Sequence, residues 1–158
     1  MSSIQTDTYY LFGVLLRFIA RNHDTGGTFS LIEATAAPGA GAPPNKHPAD
    51  DESFYVLEGK YEFLIQGEKR VATPGTFVKV PRGTVHAFTN IDDKPSRMLI
   101  INTPGFVHDA FFSQAGEPMP PGTRELPPPS NEPPNIQRVI DAGRRNGVEF
   151  LLPKGMSH

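Results

Sequence analysis

His47 and Glu52 stand five residues apart in Asn45-Lys46-His47-Pro48-Ala49-Asp50-Asp51-Glu52, and a second histidine, His86, opens the run His86-Ala87-Phe88-Thr89-Asn90. Two imidazoles and one carboxylate suit a divalent transition metal, whether Fe, Mn, Ni, Co or Zn; with iron, a facial arrangement leaves positions open for substrate and dioxygen. Side chains two apart on an extended chain share a face, so Asn45 projects with His47, and His86 with Phe88 and Asn90. Taken singly, a histidine or glutamate in a β-protein is more often a surface pair or a hydrogen-bonded core residue. Asp50-Asp51-Glu52 also reads as a solvated acidic face. The place of Glu52 just before the apolar Phe54-Tyr55-Val56-Leu57 argues that it points inward.

The spacing of these residues carries a family resemblance. From Gly75 the chain fills every specified position of GxxxxxPxGxxHxxxN, at Gly75, Pro81, Gly83, His86 and Asn90. Given ordinary residue usage, a chance match is on the order of 1 in 10,000. Upstream, the stretch from Gly39 to Gly59 follows GxxxxxHxHxxxxExxxxxxG except that Asn45 stands at the first histidine position. These two motifs, with a short spacer over residues 60 to 74, resemble those of the small single-domain cupins. The helical tail is similar to that of their quercetinase-like, or flavonol dioxygenase-like, branch.

The resemblance implies a double-stranded β-helix, or jelly-roll, barrel holding one divalent metal at His47, Glu52 and His86. Two roles fit Asn45. Its amide oxygen is a harder, weaker donor than imidazole and would loosen the hold on borderline metals. Alternatively it orients substrate or a metal-bound water through a hydrogen bond. Asn90 reads as a turn hydrogen-bonder. Three histidines fall outside the motifs: His23 in a turn, His158 at the chain end, and His108, which faces the cavity mouth only if its helix caps the barrel. Phe54, Phe77, Phe88, Met98 and Ile100 are candidates for the apolar wall of a ligand cavity, and equally for plain core.

The elements that must position these groups are short. β-branched and aromatic runs at residues 28 to 37, 53 to 57, 60 to 65, 76 to 80, 85 to 91 and 97 to 102 are separated by glycine and proline turns. That pattern predicts an all-β sandwich or barrel. The apolar run from Tyr9 to Ala20 predicts one more buried strand. After Pro104-Gly105, Phe106, Ala110 and Phe111 recur at helical spacing. Residues 117 to 134 hold much of the chain's 17 prolines and predict an extended surface strap. A second helix is expected from Asn135 to about Arg145, with Pro134 before it and Gly147 as its C-cap, followed by an apolar tail from Val148 to Leu152.

All 158 residues are expected to form one domain, with a barrel core over about 9–104 and a proline-rich, helical extension over 105–158, because the residues after the strap are too few for a core of their own. A formal net charge of −2 with scattered lysines and arginines gives no basic stripe for nucleic acid. The apolar run is interrupted by Arg17 and too short to span a bilayer. No cysteine is present, which excludes thiolate ligands and disulfides and fits a cytoplasmic location. The edge of the N-terminal strand suggests a homodimer. Three functions are compatible with this reading: a metal-dependent dioxygenase acting on a phenolic or enediol molecule, with Glu52 doubling as a base; a small-molecule-binding cupin without turnover; and a non-redox isomerase, cyclase or lyase using the same ligands.

Overall fold

The computed structural model describes residues 6–151; Leu152 and His158 lie outside the described residues. Twelve strands run in chain order: β1 (Thr8–Leu11), β2 (Val14–Ala20), β3 (Ser30–Ala36), β4 (Gly41–Lys46), β5 (Asp51–Glu58), β6 (Tyr61–Ile65), β7 (Glu68–Ala72), β8 (Phe77–Val80), β9 (His86–Asn90), β10 (Ser96–Thr103), β11 (Glu117–Pro118) and β12 (Glu149–Phe150). They form a seven-stranded sheet, β11-β1-β2-β3-β10-β5-β8, facing a five-stranded sheet, β12-β4-β9-β6-β7, with every pairing antiparallel. Two helices follow the barrel, α1 (Phe106–Ala115) and α2 (Ile136–Asn146).

Alternation along each strand sorts side chains between core and surface. On β3 the inward residues are Ser30, Ile32, Ala34 and Ala36; on β10 they are Ser96, Met98, Ile100 and Asn102; on β5 they are Glu52, Phe54 and Val56. Register places Ile100 between Ile32 and Phe54, and Asn102 between Ser30 and Glu52. The inward rows are therefore apolar through the middle of the barrel and turn polar at one end. That polar end is where the functional groups collect.

Three local features depart from the sequence reading. The expected single strand from Tyr9 to Ala20 is a hairpin, because Phe12 and Gly13 take φ of 53° and 77° and close a two-residue turn. A phenylalanine in the left-handed region is rare, so nothing in its type announces the turn. The outer edge of β1, on which the expected dimer rests, pairs with β11 at Tyr9 and Tyr10. β4 and β7 were not expected as strands. β4 contains Pro43 and Pro44, and its ladder with β9 shifts register between Ala42 and Asn45, where those two residues have no N–H to offer. β7 is charged along most of its length and lies at a sheet edge with one buried residue, Ala72.

The helices match expectation closely. The side chain of Asn135 caps α2 by accepting from the Arg138 N–H, and Gly147 ends it at φ 80°. Burial on α1 runs Val107, His108, Phe111, Phe112 and Ala115, one stripe at helical spacing. Arg21 fastens this helix to the barrel. Its guanidinium donates to Asp109 Oδ1 at 2.8 Å and to Tyr9 Oη at 2.9 Å, and stacks 4.4 Å from the centre of the Phe18 ring. Asp109 Oδ2 also accepts the Asn22 N–H at 2.9 Å. No helix among the described residues is long and apolar enough to cross a membrane.

Candidate metal centre

Four elements bring the polar end together. His47 follows β4, Glu52 is the second residue of β5, His86 opens β9, and His108 lies in the first turn of α1. All four are buried. His86 Nε2 is 3.0 Å from Glu52 Oε1, His47 Nε2 is 3.5 Å from the same oxygen, and His108 Nε2 is 3.4 Å from Oε2. Donor atoms of His47, Glu52 and His108 lie within 4.8 Å of one another, and His86 joins them through Glu52.

The outer nitrogen of each ring is held by an acceptor. His86 Nδ1 donates to the Thr84 carbonyl at 2.8 Å, and His108 Nδ1 to Asp50 Oδ2 at 2.7 Å. His47 Nδ1 lies 3.1 Å from the Asp50 carbonyl and 2.8 Å from its Oδ1. These oxygens assign the Nδ1–H tautomer to all three neutral rings, which leaves each Nε2 lone pair aimed at one carboxylate. Lone pairs and a carboxylate repel unless a proton or a cation lies between them. His47 Nε2 makes no hydrogen bond although it is buried. The donor set fits a divalent transition metal, with Asp50 and Thr84 as the outer oxygens that orient its imidazoles.

Electrostatics agree with that fit. Burial disfavours the charge on Glu52, but His108, His47 and His86 outweigh it and hold the carboxyl well below its usual range. Asp50 is likewise lowered against burial by His108 and His47. In return His47, despite burial, is pushed up to about 10 by the carboxylates of Asp50 and Glu52 beside it. Asn102 Nδ2 bridges the two carboxylates, 3.1 Å from Asp50 Oδ2 and 2.9 Å from Glu52 Oε2. One divalent cation would neutralise the two buried carboxylates and take the place of the proton on His47.

Asn45 is buried beside this group and uses both amide hydrogens on backbone, donating to the Pro43 carbonyl at 2.9 Å and to the His86 carbonyl at 3.3 Å. It ties β4 to the start of β9, and only its Oδ1 remains for the cavity. Position 45 offers no imidazole, and a third ring reaches the group instead from α1, at His108. Sequence reasoning placed His108 outside the motifs. Its signal was the spacing of His108 with Phe111, Phe112 and Ala115, which puts it on the buried face of the helix. Asp50, read as a candidate for a solvated face, and Asn102 were also missed; both sit where an inward row meets the polar end.

Beside the ligands lies a cavity of about 50 Å³. Phe88 and Ile100 line it as expected, joined by Leu16, Phe111 and Phe112. Phe54 and Met98 are fully buried but are not part of its lining; Phe54 packs behind it, 5.7 Å from the Phe88 ring. Phe77 does not form the wall: it is 57% exposed, because the inward residues of β8 are Val78 and Val80, which turns Phe77 to the outside opposite Tyr55. Asn90 is the turn hydrogen-bonder expected, donating to the Ala36 and Lys94 carbonyls and accepting from Ser96 and the Asp92 N–H.

Comparison with known proteins agrees with the architecture. Residues 32–102 match the Cupin_2 family profile, described as a cupin domain. Over 104 residues the chain is 30% identical to a quercetin 2,3-dioxygenase from Bacillus subtilis (strain 168), an alignment covering 66% of this chain and 30% of that relative. The chain thus spans about three tenths of the length of the relative. Among solved structures, a predicted oxalate decarboxylase from Thermotoga maritima superposes with a TM-score of 0.58 at 17% identity, over 65% of this chain and 94% of that one. The polyketide cyclase RemF from Streptomyces resistomycificus gives 0.53 at 24% identity, over 64% and 70%. These likenesses speak to fold alone. With two facing antiparallel sheets, both spaced motifs and the profile match over residues 32–102, the barrel of this chain is a cupin domain, and the chain resembles the quercetin dioxygenases.

Proposed function

We propose that the protein is a metal-dependent enzyme of dioxygenase type acting on a small phenolic or enediol molecule, with His47, Glu52, His86 and His108 holding one divalent transition metal. The observation that carries the reading is the convergence of three Nε2 atoms on the Glu52 carboxylate, each ring locked from behind by an oxygen acceptor. When bound, the metal would supply Lewis acidity and, if redox-active, a partner for dioxygen. The remaining work falls to the protein. Asp50 and the Thr84 carbonyl keep the imidazoles in one tautomer, and Asn102 steadies both carboxylates. Leu16, Phe111 and Phe112 exclude bulk water from the cavity. Glu52 is the group positioned to accept the acidic proton of an enol or phenol.

The likeness to a quercetin dioxygenase favours oxygen chemistry, and the fold shared with a polyketide cyclase keeps non-redox turnover as the competing reading. Metal analysis of protein purified without chelator, followed by oxygen-electrode assays over phenols and enediols, separates them. The proposal expects one metal per chain and substrate-dependent oxygen uptake. Bound metal with turnover but no oxygen uptake would assign non-redox chemistry, and binding without turnover a sensing role. A chain that takes up none of Fe, Mn, Ni, Co or Zn would end every metal-based reading.

A further inference from the structure

The cavity beside the candidate ligands is too small for a ring-bearing molecule; about 50 Å³ admits only a few waters' worth of matter. It adjoins a second, larger space. A groove of about 370 Å³ runs between Gly41, Ala42 and Pro43 of β4, ahead of its pairing with β12, and the face of α2. Phe12, Gly41, Ala42, Phe88 and Phe150 line both spaces, so one set of side chains forms the floor of the groove and the roof of the cavity. The other wall is Ile136, Val139 and Ile140 of α2, and the only polar side chain on the lining is Thr89. Volumes of this order hold small ligands.

We propose that this groove is the substrate-binding site, taking an uncharged molecule whose apolar ring system lies against α2 and whose polar end points toward the metal cavity across the shared wall, where Phe12 and Phe150 pack edge to face with ring centres 6.3 Å apart. The proposal rests on the reading of the centre as a metal site. It commits to uncharged ligands on charge grounds. Neither space is lined by a lysine or arginine. The centre itself has no positive charge to offer, since a divalent cation is offset by Glu52 and Asp50. A carboxylate or phosphate lying in the groove would shed its hydration without gaining a cationic side chain as partner. Most of the groove's distinctive walls, namely Phe12, Ile136, Val139, Ile140 and Phe150, lie outside residues 32–102, so this specificity belongs to the chain's own additions to the barrel.

The test is a fluorescence titration of the full-length, Zn(II)-loaded chain with 2-naphthol and with 2-naphthoate, which share a ring system and differ in charge. The proposal expects saturable binding of 2-naphthol, weakened about tenfold or more both by the change to 2-naphthoate and by Ile140→Asp, with Zn(II) content unchanged. Ile136→Asp, on the same half-buried face, gives the same readout should the first variant fold poorly. Equal or tighter binding of the carboxylate, or unchanged affinity in both variants, overturns it. So does failure of 2-naphthol to bind a chain that sediments as a dimer and becomes monomeric on Ile140→Asp, which would make the groove an interface between copies. Naphthol binding that persists in a chain unable to take up Zn(II), and is lost in Ile140→Asp, upholds the groove while refuting the metal reading. Zn(II) uptake without naphthol binding does the reverse.

Discussion

The barrel and the segments added to it contribute to the centre in different ways. Residues 32–102 supply His47, Glu52 and His86: Glu52 and His86 lie at the polar end of inward-facing rows set by the pleat, and His47 follows β4 in the parity of Asn45, its ring held by Asp50. The additions supply His108, the aromatic roof at Phe111 and Phe112, and the groove wall on α2, none of which follows from the barrel's own pattern. They depend on α1 being held at one place and one rotation, which Arg21 and Asp109 secure. The contrast teaches that a nitrogen lacking on one strand can be furnished by an element distant in sequence. Position 45 is then free to serve the backbone instead.

The largest expected effect lies on the barrel side. Glu52→Ala removes the group on which all three imidazoles converge, and the purified variant should carry no stoichiometric metal by elemental analysis; retention of one metal per chain would place the site elsewhere. Next comes the joint between the two regions. Arg21→Ala strips a buried guanidinium of its bonds to Asp109, Ser113, Tyr9 and the Thr6 carbonyl and should cost about 2–3 kcal/mol in urea denaturation. An effect under about 0.5 kcal/mol, the range of ordinary surface substitutions, would mean that α1 is docked by its apolar face alone.

Asp50 serves both regions, since it orients His47 from the barrel and His108 from the helix. Asp50→Asn should weaken metal binding about 10–100-fold in a chelator competition. The gentlest effect is a pH dependence. The pKa of His47 in the folded, metal-free chain is raised from 6.5 to about 10, so the stabilisation from its proton is complete below pH 6.5 and drains away between there and pH 10. Metal-free protein should lose stability over that window while metal-loaded protein does not, and metal uptake near pH 7 should release about one proton per ion. Parallel denaturation profiles for the two forms would contradict this.

Legibility in the sequence followed the same division. Period-two runs and the two spaced motifs announced the barrel, three of the converging residues and the inward turn of Glu52. Phe77, a candidate equally for cavity wall and for core, is neither: Val78 and Val80 take the inward parity of β8 and turn it outward. β4 was hidden by its prolines, and the hairpin by a phenylalanine in a conformation that residue seldom adopts. His108, Asp50 and Asn102 were hidden for a different reason. Their role exists only once α1 lies across the end of the barrel, a tertiary fact with no local trace beyond the helical spacing of His108 with two phenylalanines.

His108 is proposed to stand in for the imidazole absent at position 45. That role is tested most directly by measuring metal affinity through chelator competition in His108→Ala and in the double variant Asn45→His/His108→Ala. A clear loss of affinity is expected in the single variant and its partial recovery in the double one, because the second substitution returns an imidazole to the barrel strand. Unchanged affinity in His108→Ala would show that the helix contributes no ligand and that His47, Glu52 and His86 hold the metal alone.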